Sequence, residues 1–128
     1  MPEYMLLLYG SESVNKAERA RRWAEIPLWD QVNASLRDAG VLIAQAPLHS
    51  VETATTIRVR GDETELTDGP FAVTKEVLAG YYVLDCADLD EVIGHATRLP
   101  WARYGSVEVR PIVADDMIPR SDRSASAS

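Results

Sequence analysis

The chain has 128 residues, of which 46% are hydrophobic and 26% charged, and its formal net charge is −7. This length and composition fit one globular domain, and the acidic balance opposes binding to phosphate backbones, so nucleic acid is not expected as a main partner. A single cysteine excludes an internal disulfide and is consistent with a reducing compartment. No apolar run reaches the roughly 18 to 20 residues of a membrane span, and the first residues lack signal-peptide features. We therefore predict a cytoplasmic protein without membrane segments.

The first forty residues predict a strand followed by an interrupted helix. Residues 1–9 carry apolar side chains on both faces, which is typical of a central strand buried on both sides. Within residues 15–39, an apolar stripe recurs at spacings of three and four from Trp23 onward. Pro27 cannot donate a backbone hydrogen bond, so we expect a kink, or two helices with Pro27 in the first turn of the second. Gly40 suits the left-handed position that ends a helix.

The remainder of the chain predicts five strands and one more helix. The strands are expected at residues 41–46, 53–60, 63–67, 78–85 and 106–112, the second and third of them forming a hairpin that reverses at Gly61 and Asp62. The acidic segment 88–91 has capping-box spacing and begins a helix that runs to about residue 99. The resulting order is the βαββαβ skeleton of a ferredoxin-like α+β fold with an extra hairpin.

The predicted layers leave one face of the sheet without a cover. Two helices can cover only one side of an antiparallel sheet, and the strands carry apolar and aromatic residues on both. We expect a second copy to bury that face, which gives a two-fold symmetric homodimer. The domain is predicted to span residues 1–113, and residues 114–128, which end in a polar segment without apolar content, form a flexible or dimer-docking tail.

Five segments together resemble a known family: YMLLLYG from Tyr4, LRDAGVLI from Leu36, TATTIRVR from Thr53, TDGPFAVTKEVLAGYYVLD from Thr67 and GSVEVRPI from Gly105. They are similar to the YCII-related proteins, in particular to the branch named for its Asp-Gly-Pro-Phe motif, the DGPF domain. The resemblance covers residues 4–112 and implies a dimeric α+β barrel, an architecture shared with muconolactone isomerases and small monooxygenases. It also implies a partner, because some members occur beside or fused to extracytoplasmic-function sigma factors.

The resemblance also bears on catalysis. Enzymatic activity has been proposed for the wider YCII group because of a His–Asp pair in a cleft. The position that matches this histidine is Trp29 in the present chain. The pair is therefore broken here, and chemistry that depends on the histidine does not carry over.

Three residues are candidates for a catalytic role, namely Asp68, His49 and Tyr104. Asp68 begins the Asp-Gly-Pro turn and is either a base at a dimer cleft or a cap of its own turn. His49 is one of two histidines, the side chains that titrate near neutral pH, but the sequence shows no partner for it. Tyr104 belongs to a set of tyrosines that are either interface contacts or, in one case, a general acid.

The ligand-binding candidates are Arg58, Asp68, Arg110 and Glu76. The two arginines project from predicted strands and either hold a carboxylate-bearing ligand through bidentate contacts or form cross-strand ion pairs. Glu76 follows the turn in the family pattern and is either a ligand contact or a solvated loop charge.

No metal and no cofactor are expected from the motifs. The sequence has no HExxH, CxxC or clustered histidines, and no glycine-rich phosphate loop. Cys86 ends an apolar run, which favours a small buried side chain over a nucleophile.

Two functions are consistent with this sequence. The first is a homodimer that binds a small molecule between the uncovered sheet face and the hairpin, with cofactor-independent catalysis left open. The second is a non-catalytic interaction or regulatory module that associates with a sigma factor. An isomerase or monooxygenase activity would rest on analogy of fold alone.

Overall fold

The computed structural model of the chain describes residues 2–11, 15–72 and 74–119. Its helices and strands, in chain order, are β1 (Glu3–Gly10), α1 (Lys16–Ala24), α2 (Ile26–Asp38), β2 (Leu42–Pro47), β3 (Thr55–Arg60), β4 (Glu63–Asp68), β5 (Val77–Asp85), α3 (Leu89–Ala96) and β6 (Ser106–Pro111). Short 3-10 turns occur at Val51–Thr53, Pro100–Arg103 and Asp115–Met117. The polar tail predicted at residues 120–128 lies outside the described residues.

Four strands form the main sheet in the order β2-β5-β1-β6, and every pair is antiparallel. The first predicted strand is thus central, with β5 on one side and β6 on the other. The order and the positions of the helices confirm the ferredoxin-like α+β prediction. Strands β3 and β4 pair only with each other and form a separate two-stranded sheet.

Proline and glycine set the limits of the first helical region. Asn15 caps α1, since its side chain accepts a hydrogen bond of 2.7 Å from the Glu18 backbone N–H. The helix ends at Ala24, and Pro27 lies in the first turn of α2, where the missing N–H leaves no helical hydrogen bond unmade. Gly40 follows with a φ of +74°. The prediction of two helices with Pro27 in the first turn of the second is confirmed.

The hydrophobic core lies between one face of the main sheet and helices α2 and α3. Its most deeply buried side chains are Leu6, Leu36, Leu84, Cys86, Val92 and Leu99. Each large aliphatic side chain buried in this way stabilises the fold by about 1.5–3 kcal/mol. Helix α3 is fixed at its start because Asp88 Oδ1 accepts from the Glu91 N–H at 2.9 Å, and Glu91 Oε2 accepts from the Ala87 N–H at 2.8 Å.

The opposite face of the main sheet carries no helix in the part of the chain that the structure describes. It is apolar along β1 and β5, whereas Glu108 and Arg110 of β6 add charges opposite Leu7 and Met5. Alternation along β1 and β5 places on it the half-buried side chains of Met5, Leu7, Tyr9, Tyr81 and Val83. We call these five residues the open face. None of the helices in the described part of the chain combines the length and the apolar character needed to cross a membrane.

Candidate functional site

A cavity of about 560 Å³ opens between helices α1 and α2 and the ends of strands β1, β2 and β5. It lies on the helix-covered side of the sheet, and we call it the helix-side cavity. Its wall is completed by the connector after β2 and by the 3-10 turn at Pro100–Arg103. All three tryptophans of the chain, Trp23, Trp29 and Trp101, line it. These indole rings contribute aromatic surface to a wall that is largely apolar.

One side of the cavity is organised around Tyr82, which is buried on β5. Its hydroxyl donates a hydrogen bond of 2.5 Å to Oδ1 of Asn33, and its ring lies 6.3 Å from that of Trp29 at an interplanar angle of 15°. Burial raises the pKa of the Tyr82 phenol to about 12, against smaller opposing effects of Asn33 and Arg37. The phenol therefore stays protonated at neutral pH and serves as a hydrogen-bond donor.

A neighbouring part of the cavity wall is built from Trp101, Tyr104 and Arg22. The two rings meet edge to face at a centroid distance of 5.0 Å, and the Arg22 guanidinium lies 4.5 Å from the centroid of Tyr104. Glu18 holds the Arg22 side chain in place, because Nε of Arg22 donates a hydrogen bond of 3.4 Å to Oε1 of Glu18. Burial, reinforced by the Glu25 carboxylate, raises the pKa of Tyr104, while Arg22 opposes that rise. This phenol, too, stays protonated at neutral pH.

Two glycines make room for Trp101, whose Nε1–H donates to the Tyr9 carbonyl at 2.8 Å. A Cβ at Gly10 would lie 2.5 Å from Cζ2 of Trp101. A Cβ at Gly105 would collide with the indole nitrogen and would lie 2.5 Å from the Tyr9 carbonyl oxygen. The indole can therefore lie flat against the end of β1 only because neither position has a side chain.

His49 lies in the connector after β2. Its Nδ1 accepts a hydrogen bond of 3.0 Å from the Ser50 N–H, which leaves Nε2 to carry the proton of the neutral ring. The side chain is exposed and lines the cavity. Asp30 and Asn33 of α2 add a carboxylate and an amide to the same wall.

The structure places the six residues that the sequence nominated in several parts of the molecule. His49 and Tyr104 line the helix-side cavity. Arg58 and Asp68 belong to the hairpin, where Arg58 lies opposite Glu65 and the exposed Asp68 lies opposite Thr55.

The other two nominated residues also lie away from the cavity. Glu76 is exposed just before β5 and accepts a hydrogen bond of 3.4 Å from the Ser106 hydroxyl. Arg110 is exposed on β6, opposite Met5. The nominated residues therefore do not form one cluster within a single chain.

Sequence reasoning missed the part that Trp23 and Trp29 take in the cavity, because it assigned both to the apolar stripe of a core helix. Trp23 is 69% exposed, far more than a core residue. It also missed a second cluster, in which ligand atoms of Cys86, Glu91 and His95 lie within 4.8 Å of one another. Burial, reinforced by the Glu91 carboxylate, raises the pKa of the Cys86 thiol to about 11. The available signal was the spacing C-x4-E-x3-H across the start of α3.

Comparison with known proteins agrees with this architecture. The profile of the YCII-related domain matches residues 3–115. A protein of Rhizobium meliloti (strain 1021) that is described as uncharacterised is 40% identical over 115 residues, which are 85% of this chain and 90% of that protein. The chain therefore belongs to the YCII-related family, and the family predicted from the sequence segments is confirmed.

Proposed function

We propose that this YCII-related protein is a homodimer that binds a small, largely apolar molecule with a planar ring in the helix-side cavity. The observation that carries the proposal is a cavity of about 560 Å³ with all three tryptophans of the chain in its wall. Pockets for small molecules generally have volumes of about 300–1,000 Å³ and combine apolar walls with a few polar groups. The proposed site thus moves from the sheet–hairpin cleft expected from sequence to the opposite side of the sheet.

The wall chemistry supports a planar ligand. Aromatic rings prefer offset stacking or edge-to-face contact with other aromatic rings, and each such pair contributes about 0.5–1.5 kcal/mol beyond burial. Trp29 and Tyr82 already stack on each other, so the half-buried Trp29 ring presents a preformed aromatic surface, held by a Tyr82 ring that is itself buried. Asn33 and His49 supply the few polar contacts that would orient the ligand. Because Trp29 and Tyr82 are already packed against each other, less conformational entropy is lost when a ligand binds.

A ligand screen with two optical readouts tests the proposal. Planar aromatic compounds with and without a carboxylate are added to the untagged full-length chain, and the melting temperature and intrinsic tryptophan fluorescence are recorded. A ligand of the folded state raises the melting temperature by mass action. Because every tryptophan lines the cavity, the same ligand should change the fluorescence at the same concentrations.

A pair of exposed aromatic residues provides matched variants. Trp23 lines the cavity and is 69% exposed, whereas Phe71 lies outside it and is 78% exposed. Trp23→Ala should weaken the affinity of a hit about tenfold, the equivalent of about 1.4 kcal/mol, while Phe71→Ala leaves it unchanged. A hit that both variants bind as tightly as the parent chain, or a screen in which no planar compound moves either readout, would contradict the proposal.

The homodimer is supported by apolar surface on the other side of the sheet. The open face carries five apolar or aromatic side chains, which none of the helices among the described residues covers, with the charged Glu108 and Arg110 of β6 beside them. The hairpin adds Ile57, Val59 and Leu66, all well exposed. A two-stranded hairpin is marginally stable in isolation, and this one pairs with no strand of the main sheet. A second copy that covers both surfaces would bury this apolar area at one symmetric interface.

A further inference from the structure

Three side chains with metal-binding atoms converge where β5 leads into α3. The Cys86 sulfur, a carboxylate oxygen of Glu91 and an imidazole nitrogen of His95 lie within 4.8 Å of one another. Glu91 and His95 are one helical turn apart on α3, so both project from the same face. None of the three lines the helix-side cavity, so this cluster is independent of the function proposed above.

The spacing of these atoms is close to that of a metal-binding set. Nε2 of His95 lies 3.9 Å from Oε1 of Glu91. In a tetrahedral site with metal–ligand distances of about 2.0–2.3 Å, neighbouring ligand atoms lie about 3.3–3.6 Å apart. Side-chain rotations that move these atoms by about 1 Å would therefore close the set.

The environment of each group allows that closure. Cys86 is fully buried, whereas the side chains of His95 and Glu91 are 18% and 36% exposed and have room to adjust toward the sulfur. The capping contact of Glu91 uses Oε2, and the other oxygen, Oε1, faces His95. Solvent would therefore reach a bound cation from one side, and one coordination position of the cation would stay open to water.

The charge of the segment favours a cation. Asp85 and Asp88 lie near enough to act electrostatically on the Cys86 sulfur, and Glu91 adds a third carboxylate. These charges outweigh the partial positive charge at the N-terminus of α3, which amounts to about half an elementary charge. When a cation binds, the Cys86 thiol releases its proton to solvent and coordinates as a thiolate. A thiolate, an imidazole and a carboxylate together suit Zn²⁺ and Co²⁺ and do not suit Mg²⁺ or Ca²⁺, which prefer oxygen ligands alone.

We propose that Cys86, Glu91 and His95 form a binding site for one Zn²⁺-like divalent cation, with a fourth position open to water. The ordinary alternative is that the cluster holds only the cap of α3 and a long Glu91–His95 pair. The two differ in an observable way, because only a metal site brings the Cys86 sulfur into coordination.

Cobalt titration separates the two. Co²⁺ is added to the untagged, reduced full-length chain, and near-ultraviolet absorbance is followed before displacement with Zn²⁺. We expect one cobalt per chain, a thiolate-to-cobalt charge-transfer band, loss of that band when Zn²⁺ displaces the cobalt, and a zinc-dependent rise in melting temperature. Mg²⁺ at the same concentrations should do none of these.

Variants assign the effect to the three residues. Both His95→Gln and Glu91→Gln should weaken cobalt binding at least about tenfold, and glutamine at position 91 can still cap the helix. His49→Gln removes the other histidine and should bind cobalt as the parent chain does. Cys86→Ser should abolish the charge-transfer band, and if that core variant does not fold, the two α3 variants carry the test. Unchanged affinity in both α3 variants, or the lack of a thiolate band in the parent chain, would overturn the proposal.

Discussion

Tyr82 and Asn33, which come from β5 and α2, are joined by a hydrogen bond of 2.5 Å between the phenol and the amide oxygen. This bond ties the longest helix to a central strand next to the helix-side cavity. Trp29 stacks on the same tyrosine ring, so helix, strand and cavity wall share one contact. The position of the cavity wall therefore depends on this pair.

Removal of the Tyr82 hydroxyl should weaken the fold measurably. Tyr82→Phe keeps the ring and leaves the half-buried Asn33 amide oxygen without this donor. We expect the free energy of unfolding to fall by about 1–2 kcal/mol, measured by urea denaturation with an unchanged m-value. Tyr81→Phe on the same strand is the control and should change it by less than about 0.5 kcal/mol. Equal effects of the two substitutions would show that the Asn33 contact contributes nothing specific.

The same phenol should make stability depend on pH in the alkaline range. Burial raises the pKa of Tyr82 from 10.0 to about 12, so above pH 10 the unfolded chain loses a proton that the folded chain retains. The Tyr82 phenol therefore contributes its full stabilisation of the fold below pH 10. That stabilisation is lost as the pH rises from 10 to 12, by about 1.4 kcal/mol per pH unit. Urea denaturation of the parent chain at pH 9, 10 and 11 should show this decline, and Tyr82→Phe should reduce its slope. An identical slope in the variant would refute this assignment.

Two glycine positions should respond to alanine in opposite directions. A Cβ at Gly105 would lie 2.5 Å from the Tyr9 carbonyl oxygen, a backbone atom that cannot rotate away, so Gly105→Ala should destabilise the fold by about 1–3 kcal/mol. Gly94 is exposed within α3, and apart from its chain neighbours and its own helix backbone no atom lies within 4 Å of where a Cβ would be, so Gly94→Ala should stabilise the fold by about 0.5–1 kcal/mol. Thermal or urea denaturation of the two variants measures both changes in the free energy of unfolding. A stabilised Gly105→Ala would mean that Trp101 does not lie against β1 as described.

Much of the fold could be predicted because local chemistry determined it. Pro27 and Gly40 interrupt and end the helical region through backbone constraints that no tertiary contact is needed to reveal. The cap at Asp88 is similarly local. The ferredoxin-like arrangement followed from the βαββαβ sequence of elements, because few topologies connect these elements without crossing.

The candidate site could not be predicted in the same way. Helical periodicity gives the direction in which Trp23 points from its helix, but it does not give the distance between that helix and the sheet. Residues that line a cavity therefore have the same sequence pattern as residues that pack in a core. Asp68 drew attention because it begins a sequence motif, yet its strand pairs away from the main sheet. For Cys86, the spacing to Glu91 spans a loop and a helix start, and only the path of that loop brings the sulfur to the helix face.

The homodimer can be tested on the hairpin without disturbing the core. Leu66 is exposed within one chain, so Leu66→Lys should leave the monomer folded while placing a charge in the proposed interface. We expect sedimentation velocity at micromolar concentration to show a dimer for the parent chain and a shift toward monomer for the variant, because an unpaired buried charge opposes association. Ile93→Lys, also exposed but on α3 at the helix-covered side, is the control and should remain dimeric. A parent chain that sediments as a monomer at these concentrations would remove the homodimer from the proposal, whereas ligand binding in the helix-side cavity would stand, because that cavity is complete within one chain.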